Sequence, residues 1–487
     1  MSCTFRTLGI QILLLMIVPS IDAQQIPSEN STADVGKGYD SFRGAAMKGC
    51  VEYSGAQADL TQQAGDPQAG HLNMTHSTSS EEFASSLAIN AAASFAFGVY
   101  SGDLSVSYSH SEKLNRYSEY LLVSTHVENE RRILKKPALS ALGRRAASKG
   151  PTAFFLTCGD QFIEGYVNGG EFTAIVNASS SSKEEQTDAS LTLHAAASGS
   201  GSIDVSVKQK ITDLQKEGRL SVDVTRKGPA EDFPRLTVLE LIEYARTYPS
   251  KVSSSSKNAW TISYLTSDYT GLVEFPKYNP VQRRVMNRLA QQVRQLYYRR
   301  ASLLYIKANP AQFVPFEETH LDSELKQLTQ SIDDVTGAAE DCGQDAKNCK
   351  PPQEINVPSA PDRMGTPTII DPSIEGWKFV GSSIGADTKV VVVTGSWVNH
   401  CENGQPKGQT ILPGGSDQIK MVSRKTGVET FASASKPGLV PTNSDVYYRV
   451  VDAPNQYFDN CPHDGIKVYL ASPLYPADYK PLVLTSQ

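Results

Sequence analysis

Two spacings of apolar residues divide this chain. In its middle, apolar positions recur every three or four residues. Residues 236–248 read as a short amphipathic helix stopped by Pro249. Residues 281–307 read as a long one with Val285, Leu289, Val293, Leu296 and Tyr297 on one face, ending before Asn309 and Pro310. Residues 317–339 read as a third, with Leu321, Leu325 and Leu328 spaced for burial. Two other stretches, 85–109 and 172–224, alternate with period two. Leu104, Val106 and Tyr108 stand against Ser105, Ser107 and Ser109. Leu191 and Leu193 alternate with Thr192 and His194, and Ile203, Val205 and Val207 with Asp204, Ser206 and Lys208. Such alternation fits a half-buried strand of a soluble antiparallel sheet. It also fits the lipid and water faces of a transmembrane barrel strand, where two strands of about 9–11 residues make one spanning hairpin. On pattern alone the soluble sheet is favoured, because the barrel signal is weak per segment.

Texture changes along the chain. Residues 1–23 have Arg6, an apolar run over 8–18, a break at Pro19 and Ser20, and the small Ala23, which reads as a secretory signal peptide. Residues 24–345 combine Ser/Ala/Gly-rich strands with the helices. Residues 346–372 contain Pro351, Pro352, Pro358, Pro361, Pro367 and Pro372 and read as an extended linker. Residues 373–487 show strand patterns at 389–394, 419–423, 446–451 and 466–470 separated by Gly and Pro turns, which predicts an all-β C-terminal domain.

Composition narrows the function. A net charge of −6 argues against nucleic acid as a partner, and no segment after residue 23 has the run of about 20 apolar residues that a spanning helix needs. Seven cysteines are present, and Cys3 leaves with the signal peptide. The remaining six permit fifteen pairings. Nearness favours Cys342 with Cys349, shared location favours Cys401 with Cys461, and Cys50 and Cys158 are left. Sequons at Asn30, Asn73 and Asn177 are candidate glycan sites.

Catalytic chemistry is hard to find. There is no nucleophile elbow, zinc-protease motif, phosphate loop or dinucleotide-binding motif, so neither enzyme activity nor a cofactor or metal is expected. His400, Cys401, Cys461 and His463 can be drawn as a zinc site, but disulfides are favoured in a secreted chain. Asp459, Asn460 and Asp464 read as a polar turn before a calcium site. The run Arg131, Arg132, Lys135, Lys136, Arg144, Arg145 and Lys149 reads as a solvated helix face before an anionic-lipid contact.

The segment FFLTCGDQFIEGYVNGGEF resembles the signature of the membrane attack complex/perforin (MACPF) family, akin to the cholesterol-dependent cytolysins. That signature is an aromatic-G-T-H-aromatic pentapeptide followed, six residues on, by a Gly-Gly pair. Gly159 takes the first glycine, Phe162 the second aromatic, and Gly169 and Gly170 the pair. Cys158, Asp160 and Gln161 depart from the usual Tyr, Thr and His. Gly38, Tyr39 and Asp40 are similar to the family's opening strand, and 233–249 to the segment after its second membrane-inserting cluster.

The resemblance, over about residues 35–310, implies an α+β fold: a bent antiparallel sheet flanked by two helical hairpin-forming clusters, with the C-terminal all-β domain added. It implies a secreted chain that binds a lipid membrane, assembles as a homo-oligomer, with or without an accessory protein, and inserts two β-hairpins per subunit. Gly169 and Gly170 would be the hinge. Regions 85–126 and 172–225, with Leu104, Val106, Tyr108, Leu191, Leu193, Ile203, Val205 and Val207, would insert. The tail would choose the target through aromatics such as Trp397, Tyr447, Tyr457 and Phe458. The alternative on the same scaffold is a non-lytic adhesion or developmental binding protein.

Overall fold

The computed structural model describes residues 24–485 apart from 28–32, 42, 65–69, 71, 88–110, 112, 200–201, 229–234, 253–259, 275–279, 345, 351–352, 354, 359, 371–375, 386–387, 399–400, 403–404, 407–409, 412–417, 434–436, 451–464 and 483. The signal-peptide segment, Asn30, Leu104, Val106, Tyr108, Tyr457, Phe458 and Cys461 therefore lie outside the described residues.

A nine-stranded antiparallel sheet forms the first part of the chain. Its strands are β1 (Gln24–Pro27), β2 (Lys37–Asp40), β3 (Ala45–Gly49), β4 (Leu60–Ala64), β5 (Leu72–Ser77), β6 (Glu119–Leu134), β7 (Gln161–Ala178), β8 (Leu220–Lys227) and β9 (Trp260–Asp268). Two long strands, β6 and β7, pair along most of their lengths. Each changes its outer neighbour halfway. On one edge β6 pairs β5 over 120–125 and then β4 over 130–134. On the other edge β7 pairs β9 over 161–169 and then β8 over 171–178. The sheet is thus two half-sheets threaded by two common strands.

Helices cover both faces of the β5–β6–β7–β8 half. On one face, α4 (Lys183–Ser198), α5 (Val205–Lys216) and α6 (Val238–Lys251) bury Ala189, Leu193, Ala196, Ile211, Leu241 and Ala245 against Leu121, Val123, Phe172, Ala174 and Val176. On the other, Phe83 of α1 (Ser80–Ser86) and Leu114 pack on Tyr120, Leu122 and Ile175. Two smaller helices, α2 (Ala141–Ser148) and α3 (Pro151–Cys158), lead into β7. The long helices α7 (Pro280–Ala308) and α8 (Glu318–Gln344) pack through Met286, Leu289, Val293, Leu296, Leu321 and Leu328.

Residues 368–485 form two packed antiparallel sheets. One contains β10 (Thr368–Ile370), β12 (Lys389–Val398), β15 (Thr410–Ile411), β18 (Gly438–Val440) and β20 (Gly465–Ala471). The other contains β11 (Lys378–Ser383), β16 (Gln418–Ser423), β17 (Glu429–Ser433), β19 (Ser444–Arg449) and β21 (Leu484–Thr485). The two-residue strands β13 (Cys401–Glu402) and β14 (Gln405–Pro406) pair with each other. Val391, Val468 and Ile466 meet Ile419, Met421, Val446 and Tyr448 between the sheets. Strands appear at all four expected places, at 389–398, 418–423, 444–449 and 465–471, and Val451, the expected end of the third, lies outside the described residues.

Two expectations need correction. Of the alternating residues, 205–207 open α5 and 191–194 lie in α4, a helix that local signals select. Ser182 caps it by accepting from Glu185 N, Glu185 reaches back to Ser181, and an alanine-rich body follows. The helix expected to stop at Pro249 continues to Lys251. The donor that Pro249 lacks would have met the carbonyl of Ala245, and the Thr125 hydroxyl donates to that carbonyl instead, at 2.8 Å. Within the stretch read as an extended linker, the Arg363 side chain is 3% exposed.

Disulfides join Cys50 to Cys158 and Cys342 to Cys349. The first closes a loop with a sequence separation of 108 and pins the start of the sheet to the end of α3. Replacing both cysteines by alanine is expected to cost about 2–5 kcal/mol, read as a lower urea midpoint of the purified chain. A midpoint equal to wild type would mean that the loop is already held by its other contacts.

Candidate functional site

Two motifs separate in sequence meet at one corner. The backbone of Tyr39 bridges to Gly159, and Gly38 pairs with Phe162. A Cβ on Gly159 would collide with the carbonyl oxygen of Tyr39, and Gly159 itself has φ +74°. Glycine is required on both counts. The next residue, Asp160, accepts from Ser41 N at 2.8 Å and Ser41 Oγ at 2.6 Å, while its own N–H donates to Tyr39 O. The opening strand and the signature therefore form one clasp around Phe162 and Tyr269, whose hydroxyl donates to Cys158 O.

Asp160 is 9% exposed. Burial pushes its pKa up to about 6; the bonds from Ser41 oppose that shift, and Asp40 adds to it. Gln161 is also buried there. The departures from the usual pentapeptide thus place a carboxyl and an amide in the core of the corner.

Gly169 and Gly170 lie where the half-sheets exchange neighbours. The β6–β7 register slips between Glu128 and Glu130, opposite Gly169 and Asn168. The β7–β9 register slips between Val167 and Asn168. Bulges bend the strands that carry them and increase local twist. A Cβ on Gly169 would strike the carbonyl oxygen of Val127, and one on Gly170 would strike the Val252 side chain beside Tyr248. Tyr248 itself donates to Lys227 O at 2.6 Å. Helix α6, capped at Thr237 with Glu240, is therefore pressed across the bend.

Among the apolar residues expected to insert, the described ones split between inside and outside. Leu193 and Ile203 are buried, Val207 is partly buried, and Leu191 and Val205 are 62% and 83% exposed. Residues 191 and 193 fall on nearly opposite sides of α4, as helical spacing dictates. Asn73 is exposed in β5, whereas Asn177 is 8% exposed within β7 and paired to Tyr120 and Ser221. A glycan needs an exposed side chain, which Asn73 has and Asn177 lacks in this fold. The basic run is no single helix face. Arg131 and Arg132 lie on β6 beside Glu128 and Glu130, and Arg144 lies on α2 beside Glu52. Among the described residues no cluster of His, Cys, Asp and Glu is placed to hold a metal, and no helix is long and apolar enough to cross a membrane.

Tyr447 is part of a feature that sequence reasoning missed. Across β11, β19, β16 and β17, register aligns Phe379, Tyr447, Lys420 and Phe431 in one outward row. Trp377 lies against Phe431, with Arg449 4.5 Å and Lys420 5.3 Å from its ring centre. Phe379 is 52% exposed. Trp377 and Phe379 are two residues apart, while Phe431 and Tyr447 come from two other strands, so no single local motif announces the group. The backbone of Trp397 lies in β12.

Two outcomes follow for the corner and the bend. Gly169→Ala should destabilise the fold by about 1–3 kcal/mol through overpacking, while Gly49→Ala, with nothing within 4 Å of its added Cβ, should be tolerated; paired denaturation curves compare them. Asp160 binds its proton more tightly when folded, so its stabilising contribution is full below the unfolded pKa of 3.8 and lost as pH rises through about 6. The stability difference between wild type and Asp160→Asn should therefore move against wild type from pH 4 to pH 7. A difference independent of pH would assign the carboxyl an ordinary titration.

No protein-family model matches the chain, and no curated protein matches it in sequence. Solved structures similar to it include stonustoxin, at 11% identity and TM-score 0.35, covering 66% of this chain and 42% of that one. GNIP1Aa from Chromobacterium piscinae is 12% identical with TM-score 0.34, covering 89% and 81%. A MAC/Perforin-domain protein from Bacteroides thetaiotaomicron is 11% identical with TM-score 0.25, covering 57% and 62%. This chain thus spans about two fifths of the length of stonustoxin. Its two half-sheets, which exchange neighbours at a glycine pair and carry helices on both faces of one half, make an α+β fold.

Proposed function

We propose that this chain is a secreted pore-forming protein that binds a membrane, assembles into a ring and converts two segments into β-hairpins of a shared barrel. One observation carries the reading. The segments between β5 and β6 and between β7 and β8, residues 78–118 and 179–219, are each 41 residues long. Each begins and ends at paired strand ends, Ser77 with Tyr120 and Ala178 with Leu220. The four strands are adjacent, so both segments sit on the same end of one sheet.

Extending the existing registers gives a definite result. Continuing β7 and β8 brings the turn to Gly199 and pairs Leu191 with Val207, Leu193 with Val205, and Ala195 with Ile203. Continuing β5 and β6 brings the turn to Gly98 and Val99 and pairs Leu104 with Ala93, Val106 with Ala91, and Tyr108 with Ile89. Side chains two apart in a strand share a face. Both apolar rows then fall on the face that carries Tyr120 and Asn177, while the opposite rows are mostly Ser, Thr, Ala, Asp and Lys. In the helices of the second segment, by contrast, Leu193 is buried while Leu191 and Val205 are exposed. The alternation runs over about nine residues at 89–97, 100–108 and 189–197, close to the 9–11 that cross a bilayer, and over 203–207 in the fourth strand. Barrel closure satisfies the backbone in lipid, which is why many subunits must contribute.

Target binding fits the C-terminal sheets, through the outward row of Trp377, Phe379, Phe431 and Tyr447 with Lys420 and Arg449. Rings and cations side by side suit an interface that is part apolar and part anionic.

The test uses two neighbouring exposed positions. Val205→Lys should cut dye release from liposomes at least tenfold without reducing binding, since a lysine facing lipid at mid-depth costs about 2–4 kcal/mol per subunit. Ser206→Lys, facing water in the hairpin, should release dye as wild type does. Equal behaviour of the two variants would overturn the register. Wild-type release should leave rings under negative stain; binding without release or rings would favour the non-lytic alternative.

A further inference from the structure

Residues 360–366 run from the proline-rich stretch into β10 and cross the point where both segments of the proposed hairpins leave the sheet. Arg363 is the centre of this crossing. It is 3% exposed, and its guanidinium is surrounded by acceptors. Nε donates to Gln312 Oε1 at 2.8 Å. Nη1 donates to Ser180 Oγ at 2.9 Å and Gln186 Oε1 at 3.0 Å. Nη2 donates to Ser180 O at 2.8 Å, Tyr117 O at 3.3 Å and Tyr305 Oη at 2.5 Å. The rings of Tyr117 and Tyr305 lie 5.2 and 5.1 Å from its Cζ.

Ser180 and Gln186 open the second segment, and Tyr117 closes the first. Neighbouring contacts repeat the same division. Asp362 pairs with Arg116 at 2.8 Å and Lys183 at 3.6 Å. Pro361 O accepts from Tyr117 Oη at 2.8 Å. Thr366 N donates to Glu184 Oε1 at 2.9 Å. Gln186 Nε2 ties the two segments together directly through Arg116 O and Glu119 Oε1.

We propose that this strap is an autoinhibitory latch, which holds the adjoining ends of both segments, 116–117 and 180–186, in place and lets go of both when the C-terminal sheets are displaced. The latch deepens the pore-forming reading and rests on it. The energetics suit release. A buried guanidinium is tolerated only with its donors satisfied, and its burial nearly cancels what its contacts return. Withdrawing the arginine into water restores its hydration in one step, so the grip has no stable halfway state. The strap leads within two residues into β10, the edge of the sheet that pairs with β20. Movement of those sheets therefore pulls directly on Arg363.

Hydrogen exchange on the full chain without membrane tests the grip. Arg363→Ala should speed amide exchange at least tenfold in both α4 and residues 113–118, leave β12 unchanged, and be partly rescued in Arg363→Lys. Should Arg363→Ala fail to fold, Asp362→Asn combined with Thr366→Pro, both at the strap's exposed edge, serves the same comparison. Unchanged exchange in either segment overturns the latch. A second arm crosslinks Glu184→Cys with Thr366→Cys and measures dye release from phosphatidylcholine, phosphatidylserine and cholesterol vesicles. The locked chain should bind but release at least tenfold less, and recover on reduction relative to equally reduced wild type. Lysis by the locked chain at the wild-type rate overturns the latch and leaves the pore intact. Failure of wild type to lyse, with the exchange result as expected, removes the pore reading and leaves a clamp on the two segments.

Discussion

The pairing of β6 with β7 is the constraint on which the rest of this molecule depends. It fixes the register of β5 and β8 at one end and of β4 and β9 at the other. It also places the ends of two equal insertions side by side. Because hydrogen-bond register is discrete, a one-residue slip would turn every apolar side chain in an extended hairpin to the wrong face. The bulges near Glu128 and Asn168 do not disturb that end of the sheet. Bend and register are thus kept in separate halves of the same two strands.

Ionisable groups are buried where parts of the chain join. Arg363 connects the C-terminal strap to both insertions. Arg299, 3% exposed, pairs with Glu324 at 2.8 Å between α7 and α8, and Glu324 also accepts from Tyr475. Asp160 holds the opening strand to the signature corner. Such groups add little net stability when paired, yet removing one partner leaves an expensive orphan. They specify which surfaces meet more than how tightly.

Much of this was legible in the sequence, and the failures have physical causes. The long helices carried their own periodicity, and the C-terminal strands their turns. The glycine pair sat at signature spacing because two backbones touch there. The alternation over 191–207 was misleading about the present state, since serine capping and alanine content decide the local conformation of an isolated segment. Arg363 sat in a proline-rich run, and its burial arises from partners at 117, 180, 186, 305 and 312 that no local pattern connects. The aromatic row was invisible for the same reason: Phe379, Tyr447 and Phe431 belong to three different strands, and only register aligns them. Asn177 has a sequon whether or not its side chain can be reached.

The equal length of the two insertions has a consequence for the height of the proposed pore. Each 41-residue segment provides about 20 residues per strand, of which only the nine or so nearest the turn alternate as lipid and water faces. The remaining ten, at roughly 3.3 Å each, would form a polar stalk about 30 Å long before tilt is considered. The body of the ring would then stand well clear of the bilayer. Headgroups and surface glycans would fit beneath it, and the stalk wall would be open to reagents too large to enter the lipid.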